Sequence, residues 1–204
     1  VRDIGGPDGK SVYHGLCSGY LKDLQSGIKI NAQIKPCKST FRLPEDDNTP
    51  VIFVCAGTGM SPFRGFLQER HAKGLKCSEK GGSSETYMFF GCRHPEQDFI
   101  YKEELEGYVE DGTLTKLYTT FSRSNQVVRY VQHSLLQHAQ LLHELVVERG
   151  ANVYVCGSAG SMAKDVKRTW ERIAVQMSGM SEPEAEETVK RWVEEGKYNE
   201  DVWG

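Results

Sequence analysis

The 204 residues carry 25 Lys and Arg against 28 Asp and Glu, a net charge of −3, with 38% hydrophobic residues. That is the mix of an ordinary globular protein with a core, and it points away from nucleic acid or an anionic membrane as main partner, so any basic site has to be local. No apolar run approaches the ~18 residues of a membrane span and no signal pattern is visible. The cysteines Cys17, Cys37, Cys55, Cys77, Cys92 and Cys156 show neither a C-x-x-C pair nor metal-ligand spacing, which predicts reduced thiols in a cytoplasmic setting and no metal site.

The chain is predicted to divide near Pro50. Ahead of it, Val1 to Lys10 is rich in Gly and charge, and short β-type pieces are expected over Gly27 to Pro36 and Phe41 to Leu43. The apolar run Val51 to Ala56 reads as a fully buried strand. Pro62 then falls in the first turn of a helix running to about Lys73, where its missing N–H costs nothing. Lys76 to Ser84 reads as a loop tip. Thr86 to Gly91 is the second strand, followed by a helix from about Tyr101 to Val109. Leu114 to Phe121 is the third, with Val127 to Glu148 largely helical. Asn152 to Gly157 is the fourth, leading into a helix from about Ser161 to Met177. Ser181-Glu182-Pro183-Glu184 opens another helix with a capping-box pattern, Gly196 stops it, and Tyr198 to Trp203 is a short fifth strand. Strands alternating with helices predict an α/β fold with a five-stranded, parallel, doubly wound sheet.

In such sheets ligands bind beyond the carboxyl ends of the strands. The first strand ends in Gly57-Thr58-Gly59, where glycines let a backbone approach a phosphate at a helix N-terminus, or simply make a tight turn. No Gly-Lys-Ser/Thr follows, which favours a dinucleotide pyrophosphate over a nucleoside triphosphate. Arg93 ends the second strand and suits phosphate or adenine, or a surface ion pair. After the third strand, Ser122, Arg123, Arg129 and Tyr130 replace the acid that NAD-specific sites place on the ribose, so NADP(H) is favoured over NAD(H). The fourth strand ends in Cys156-Gly157. With no base or cation nearby in sequence, Cys156 reads as a contact to a nicotinamide, or as a plain buried thiol, and not as a nucleophile. Trp203, behind Asp201, either packs on the core or offers a flat π surface to a planar ligand.

Taken together, Gly57-Thr58-Gly59-Met60-Ser61-Pro62-Phe63-Arg64-Gly65-Phe66, Phe90-Gly91-Cys92-Arg93, Phe121-Ser122-Arg123, Tyr130-Val131-Gln132-His133, Val155-Cys156-Gly157 and Asp201-Val202-Trp203 resemble the ferredoxin–NADP reductase superfamily, specifically the diflavin reductases of the cytochrome P-450 reductase type. The tone is nearest to self-sufficient fusions of a haem monooxygenase with its reductase. The resemblance implies that Thr58, Ser122, Arg123, Tyr130, Gln132 and Asp165 contact NADPH. It implies that Cys156 and Asp201 assist hydride transfer to FAD, with Trp203 stacked on the flavin until NADPH displaces it. Gly15-Leu16-Cys17-Ser18 resembles the FAD pyrophosphate segment, which makes residues 1–49 the tail of a FAD-binding domain and 50–204 the NADP(H)-binding domain. FMN and a haem acceptor are implied beyond this stretch. Two departures stand out. Val128 holds a position where relatives often carry Lys, with Arg129 beside it, and the Arg-x-Tyr-Ser flavin motif is absent, so the chain is expected to be a fragment. Alternative readings are the same module from a sulfite reductase flavoprotein or nitric oxide synthase, or a non-catalytic dinucleotide sensor.

Overall fold

The computed structural model describes residues 4–5, 12–13, 15–33, 41–77, 85–124 and 127–204. Two compact units divide the chain, Val1–Cys37 and Lys38–Gly204. In the first, β1 (Ile4–Gly5) pairs antiparallel with β2 (Val12–Tyr13), and α1 spans Leu16–Lys22. The strand expected over Gly27 to Pro36 does not form in its described part, residues 27–33; residues 34–36 lie outside the description. Ile28 and Ile30 are exposed, and no neighbouring strand among the described residues completes a ladder for them.

The second unit holds β3 (Val51–Ala56), a 3-10 turn (Gly57–Gly59), α2 (Met60–Ala72), β4 (Thr86–Cys92), α3 (Lys102–Glu110) and β5 (Lys116–Phe121). It continues through α4 (Val131–Gln137), α5 (Ala139–His143), a π-helical turn (Glu144–Glu148), β6 (Asn152–Ser158), α6 (Met162–Ser178), α7 (Glu182–Glu194) and β7 (Tyr198–Trp203). Within the expected loop Lys76 to Ser84, residues 78–84 lie outside the description, as does Cys37. The five strands form one parallel sheet in the order β5-β4-β3-β6-β7.

Alternation along β3 builds a core on each face. Ile52 and Val54 join Phe89, Val153, Val155, Trp170 and Leu135 under α4 to α7. Val51, Phe53 and Cys55 join Met88, Phe90, Tyr154, Phe63 and Leu67 under α2 and α3. Central strands buried on both faces therefore need the near-continuous apolar runs that made them legible. Phe41 to Leu43 is not a strand either. Phe41 lies on the sheet face, edge-on to Tyr154 at 5.6 Å, and the Tyr154 hydroxyl donates to the Arg42 carbonyl at 2.8 Å. Lying over the sheet face and not along an edge, this segment packs through the Phe41 ring and the Arg42 carbonyl.

Two local devices keep the frame in place. The Glu184 carboxylate accepts from the Ser181 N–H at 2.8 Å and its hydroxyl at 2.7 Å, closing the start of α7, an arrangement worth about 1 kcal/mol. At the amino edge of the sheet, Arg149 meets the buried Glu85 carboxylate at 2.7 Å.

Candidate functional site

The direction of strand addition reverses at β3. From there the chain moves outward through β4 to β5, then returns to the other side of β3 for β6 and β7. The connections leaving the carboxyl ends of β3 and β6 therefore part in opposite directions, and a crevice opens between them.

The turn Gly57–Gly59 forms one lip. Gly57 has φ +56°, a left-handed conformation that a side chain resists. Gly59 answers a different demand: a Cβ there would overlap the carbonyl of Cys156. Its missing side chain lets the turn lie directly on the end of β6. Thr58 is exposed between them, and its carbonyl accepts from the Ser61 hydroxyl at 2.9 Å. The turn runs straight into α2, the Met60 N–H bonding back to the Gly57 carbonyl, and the start of such a helix is where a phosphate is received.

Beyond β4 and β5 the ladder runs on. Ser122 N–H donates to the Cys92 carbonyl at 2.9 Å and Arg123 N–H to the Arg93 carbonyl at 3.0 Å. Arg93 and Arg123 thus leave neighbouring strands side by side, both exposed. Two arginines at neighbouring strand ends make a fitting environment for a phosphate. Ser122 is half-buried; Arg129 and Tyr130 are exposed just ahead of α4, and the Tyr130 ring stands edge-on to His133 at 5.5 Å. Gln132 in α4 and Asp165 in the first turn of α6 meet, the amide Nε2 donating to Oδ2 at 3.4 Å. Sequence spacing contains no signal for that pairing, because α5, the π-helical turn and β6 separate the partners.

On the other lip, β7 places Asp201 opposite Cys156 and Trp203 opposite Ser158. Side chains alternate along a strand, so these four share one face of the sheet at its carboxyl edge. The Ala159 N–H donates to the Trp203 carbonyl at 2.8 Å, tying the end of β7 to the turn after β6. Trp203 keeps 48% of its surface exposed, so its indole is not a core anchor. Burial, and secondarily the Asp201 charge, push the Cys156 thiol up to about 12. The sulfur is therefore a neutral S–H at neutral pH, a polarisable wall with no thiolate character. Cys55, its register partner in β3, is likewise raised well above the ordinary thiol range, by burial first and by Cys156 second.

A brace missed at the level of sequence holds α2 against α3. Arg64 bonds Glu104 at 2.7 Å and sits 4.4 Å over the Tyr101 ring, and Tyr101 itself has φ +58°. Nothing in the local sequence marks a tyrosine for a left-handed conformation, which is a property of the packed loop. In the first unit, Gly15 caps α1, and Leu16, Cys17 and Ser18 are exposed in its first turn. Among the described residues, no group of three or more His, Cys, Asp or Glu is placed to hold a metal, and no helix is long and apolar enough to cross a membrane.

A parallel doubly wound sheet with a glycine turn at its switch point and paired arginines at neighbouring strand ends defines a dinucleotide-binding domain. The chain belongs to the oxidoreductase NAD-binding domain family, whose model matches residues 53–168. It is similar to NADPH–cytochrome P450 reductase of Cavia porcellus, 45% identical over 166 residues, which is 81% of this chain and 24% of that protein. The bifunctional cytochrome P450/NADPH–P450 reductase of Bacillus cereus is 40% identical over 96% of this chain and 18% of its own length. The sulfite reductase [NADPH] flavoprotein alpha-component of Shewanella oneidensis is 39% identical over 93% of this chain and 30% of its own. The chain thus spans between about a fifth and a third of the length of these relatives.

Proposed function

We propose that this chain is the NADPH-binding module of a diflavin reductase, presenting NADPH to FAD, with electrons passing on through FMN to a haem protein. The observation that carries this reading is the β6–β7 register, which sets Cys156, Asp201 and Trp203 on one face beside the Gly57–Gly59 turn. When bound, NADPH supplies a hydride and FAD accepts it.

The chain's own residues bind and orient. Arg123 and Arg93 take the 2′-phosphate and adenine end, with Ser122, Arg129 and Tyr130 around them. Thr58 and the amino end of α2 take the pyrophosphate, and the Gln132–Asp165 pair steadies the wall between α4 and α6. The Cys156 S–H and the Asp201 carboxylate flank the nicotinamide. The exposed indole of Trp203 covers the flavin until the nicotinamide takes its place. Gly15 to Ser18, opening α1 with exposed residues, is assigned to the FAD pyrophosphate, in keeping with residues 1–49 as the tail of a FAD-binding domain and 50–204 as the NADP(H)-binding domain. Free thiols at all five described cysteines fit a cytoplasmic setting.

A haem monooxygenase fused to the reductase is the acceptor we favour, on the 40% identity to the bifunctional Bacillus cereus protein over 96% of this chain and 18% of that protein. The Shewanella oneidensis match supports a second reading, in which the acceptor is a sulfite reductase. The test is NADPH-driven cytochrome c reduction by the flavin-replete full-length protein. Turnover is expected, and its absence with both flavins bound would leave a non-catalytic dinucleotide sensor as the better account. Reduction of a haem monooxygenase but not of sulfite reductase separates the two acceptors.

A further inference from the structure

Tyr101 is the single non-glycine with a positive φ among the described residues, at +58°. A bulky side chain is rare in that region, where glycine sits at no steric cost. Such strain persists only where the surroundings over-determine it. Here the surroundings are α2. The Arg64 guanidinium lies 4.4 Å over the Tyr101 ring and bonds Glu104, three residues further on, at 2.7 Å. Gln68, one turn along α2, donates to the other Glu104 oxygen at 3.3 Å.

This brace spans two parts of the crevice. Arg64 is the fifth residue of α2, about 6 Å along the axis from the helix start that follows Thr58. On the other side, Tyr101 closes the segment that leaves β4 at Arg93. That segment is clipped on itself. The His94 N–H donates to Asp98 Oδ2 at 3.1 Å, and the Asp98 N–H returns to the His94 carbonyl at 3.0 Å. The Phe99 ring then packs 5.3 Å from Phe90 and 6.2 Å from Phe121. The loop is therefore a braced spacer between Arg93 and Tyr101, and Arg64 with Glu104 ties its far end to the start of α2.

Resting on the dinucleotide reading above, we propose that Tyr101 and Glu104 are positioning residues: with Arg64 they fix the start of α2 relative to Arg93, so that the pyrophosphate and the phosphate at the adenine end are met together. Neither side chain needs to touch the dinucleotide. Their effect is confined to ligands that span both contacts, because a ligand held at the arginines alone does not sense the separation.

The test is calorimetric titration of the 204-residue chain with NADP⁺, which spans both contacts, and with 2′-AMP, which reaches the arginines alone. Tyr101→Gly removes the ring, suits φ +58° and is accepted at a helix N-cap, so its melting temperature should not fall. It should bind NADP⁺ roughly fivefold more weakly, with 2′-AMP unchanged. Glu104→Gln, which leaves the backbone as it is, should show the same split, and Tyr101→Phe, which keeps the ring, should match the parent. Unchanged NADP⁺ affinity in Tyr101→Gly and Glu104→Gln would overturn the positioning role. Equal losses for the two ligands would overturn it too, since general loosening weakens both. A parent that binds 2′-AMP no better than 5′-AMP would instead overturn the NADP(H) reading, and the positioning role with it.

Discussion

Asp201 stands directly across the β6–β7 ladder from Cys156, and both lie where the sheet meets its glycine turn. Burial, and secondarily the Asp201 carboxylate, keep the Cys156 thiol protonated. The pair presents a hydrogen-bond acceptor and a neutral polarisable sulfur side by side, a wall suited to a nicotinamide and unsuited to covalent catalysis.

The protonated state of Cys156 has a consequence for stability. An unfolded thiol ionises near pH 8.5, whereas the folded one is pushed up to about 12. Above pH 8.5 the unfolded chain binds fewer protons than the folded one, so the contribution is fully present below that pH and falls as pH rises toward 12. The slope is at most about 1.4 kcal/mol per pH unit for this thiol. Urea unfolding at pH 8, 9 and 10 should show a shallower decline for Cys156→Ala than for the parent, and identical slopes would rule out the shifted thiol.

Arg123→Ala should weaken NADP⁺ by roughly ten- to a hundredfold, the loss of a charge-assisted phosphate contact worth about 1.5–3 kcal/mol, while NAD⁺ changes little. Calorimetric titration with both nucleotides measures this. Arg93 leaves the neighbouring strand end, its backbone carbonyl bonded to the Arg123 N–H, and on the proposal that both side chains meet one phosphate the double variant should fall short of additivity. An unchanged NADPH to NADH preference in Arg123→Ala would remove the arginine from the 2′-phosphate site.

On the proposed gating role, Trp203→Ala should relax discrimination against NADH in the flavin-replete protein by removing the competitor for the nicotinamide's place. The change should appear in kcat/KM for NADH, with thermal stability shifted by less than about 1 kcal/mol for a half-exposed residue. Unaltered NADH kinetics would count against gating.

Gly59→Ala and Gly65→Ala should move in opposite directions. A Cβ at Gly59 collides with the Cys156 carbonyl, and forcing the two apart should cost about 1–3 kcal/mol and weaken NADP⁺ binding. Gly65 lies in α2 with open space around it, so alanine there should stabilise by about 0.5–1 kcal/mol. Melting curves of the two variants and the parent decide the point.

Much of the frame was readable because burial leaves a local trace. Val51 to Ala56 and Asn152 to Gly157 are apolar runs since both sheet faces are covered, and Pro62 and Ser181 mark helix starts through backbone chemistry alone. The strands expected at Phe41 to Leu43 and in the described part, residues 27–33, of Gly27 to Pro36 did not form for a complementary reason. Strand-like composition describes side chains, but a strand needs a neighbour with free N–H and C=O groups. Phe41 to Leu43 lies over a face of the sheet, against Tyr154 of central β6, where the strands' N–H and C=O groups are already bonded to one another.

The sequence by itself determined the alternation of strands and helices, the glycine turn after the first sheet strand, and the absence of an acid where a ribose hydroxyl would bind. Those are properties of single segments, set by periodicity and local chemistry. The tertiary structure decided which strand ends are neighbours: Arg93 with Arg123, Gln132 with Asp165, Cys156 with Asp201, and Gly59 on the Cys156 carbonyl. Strand order is a long-range choice, governed by how whole faces are covered. No local pattern encodes that β6 returns past β3 to open the crevice.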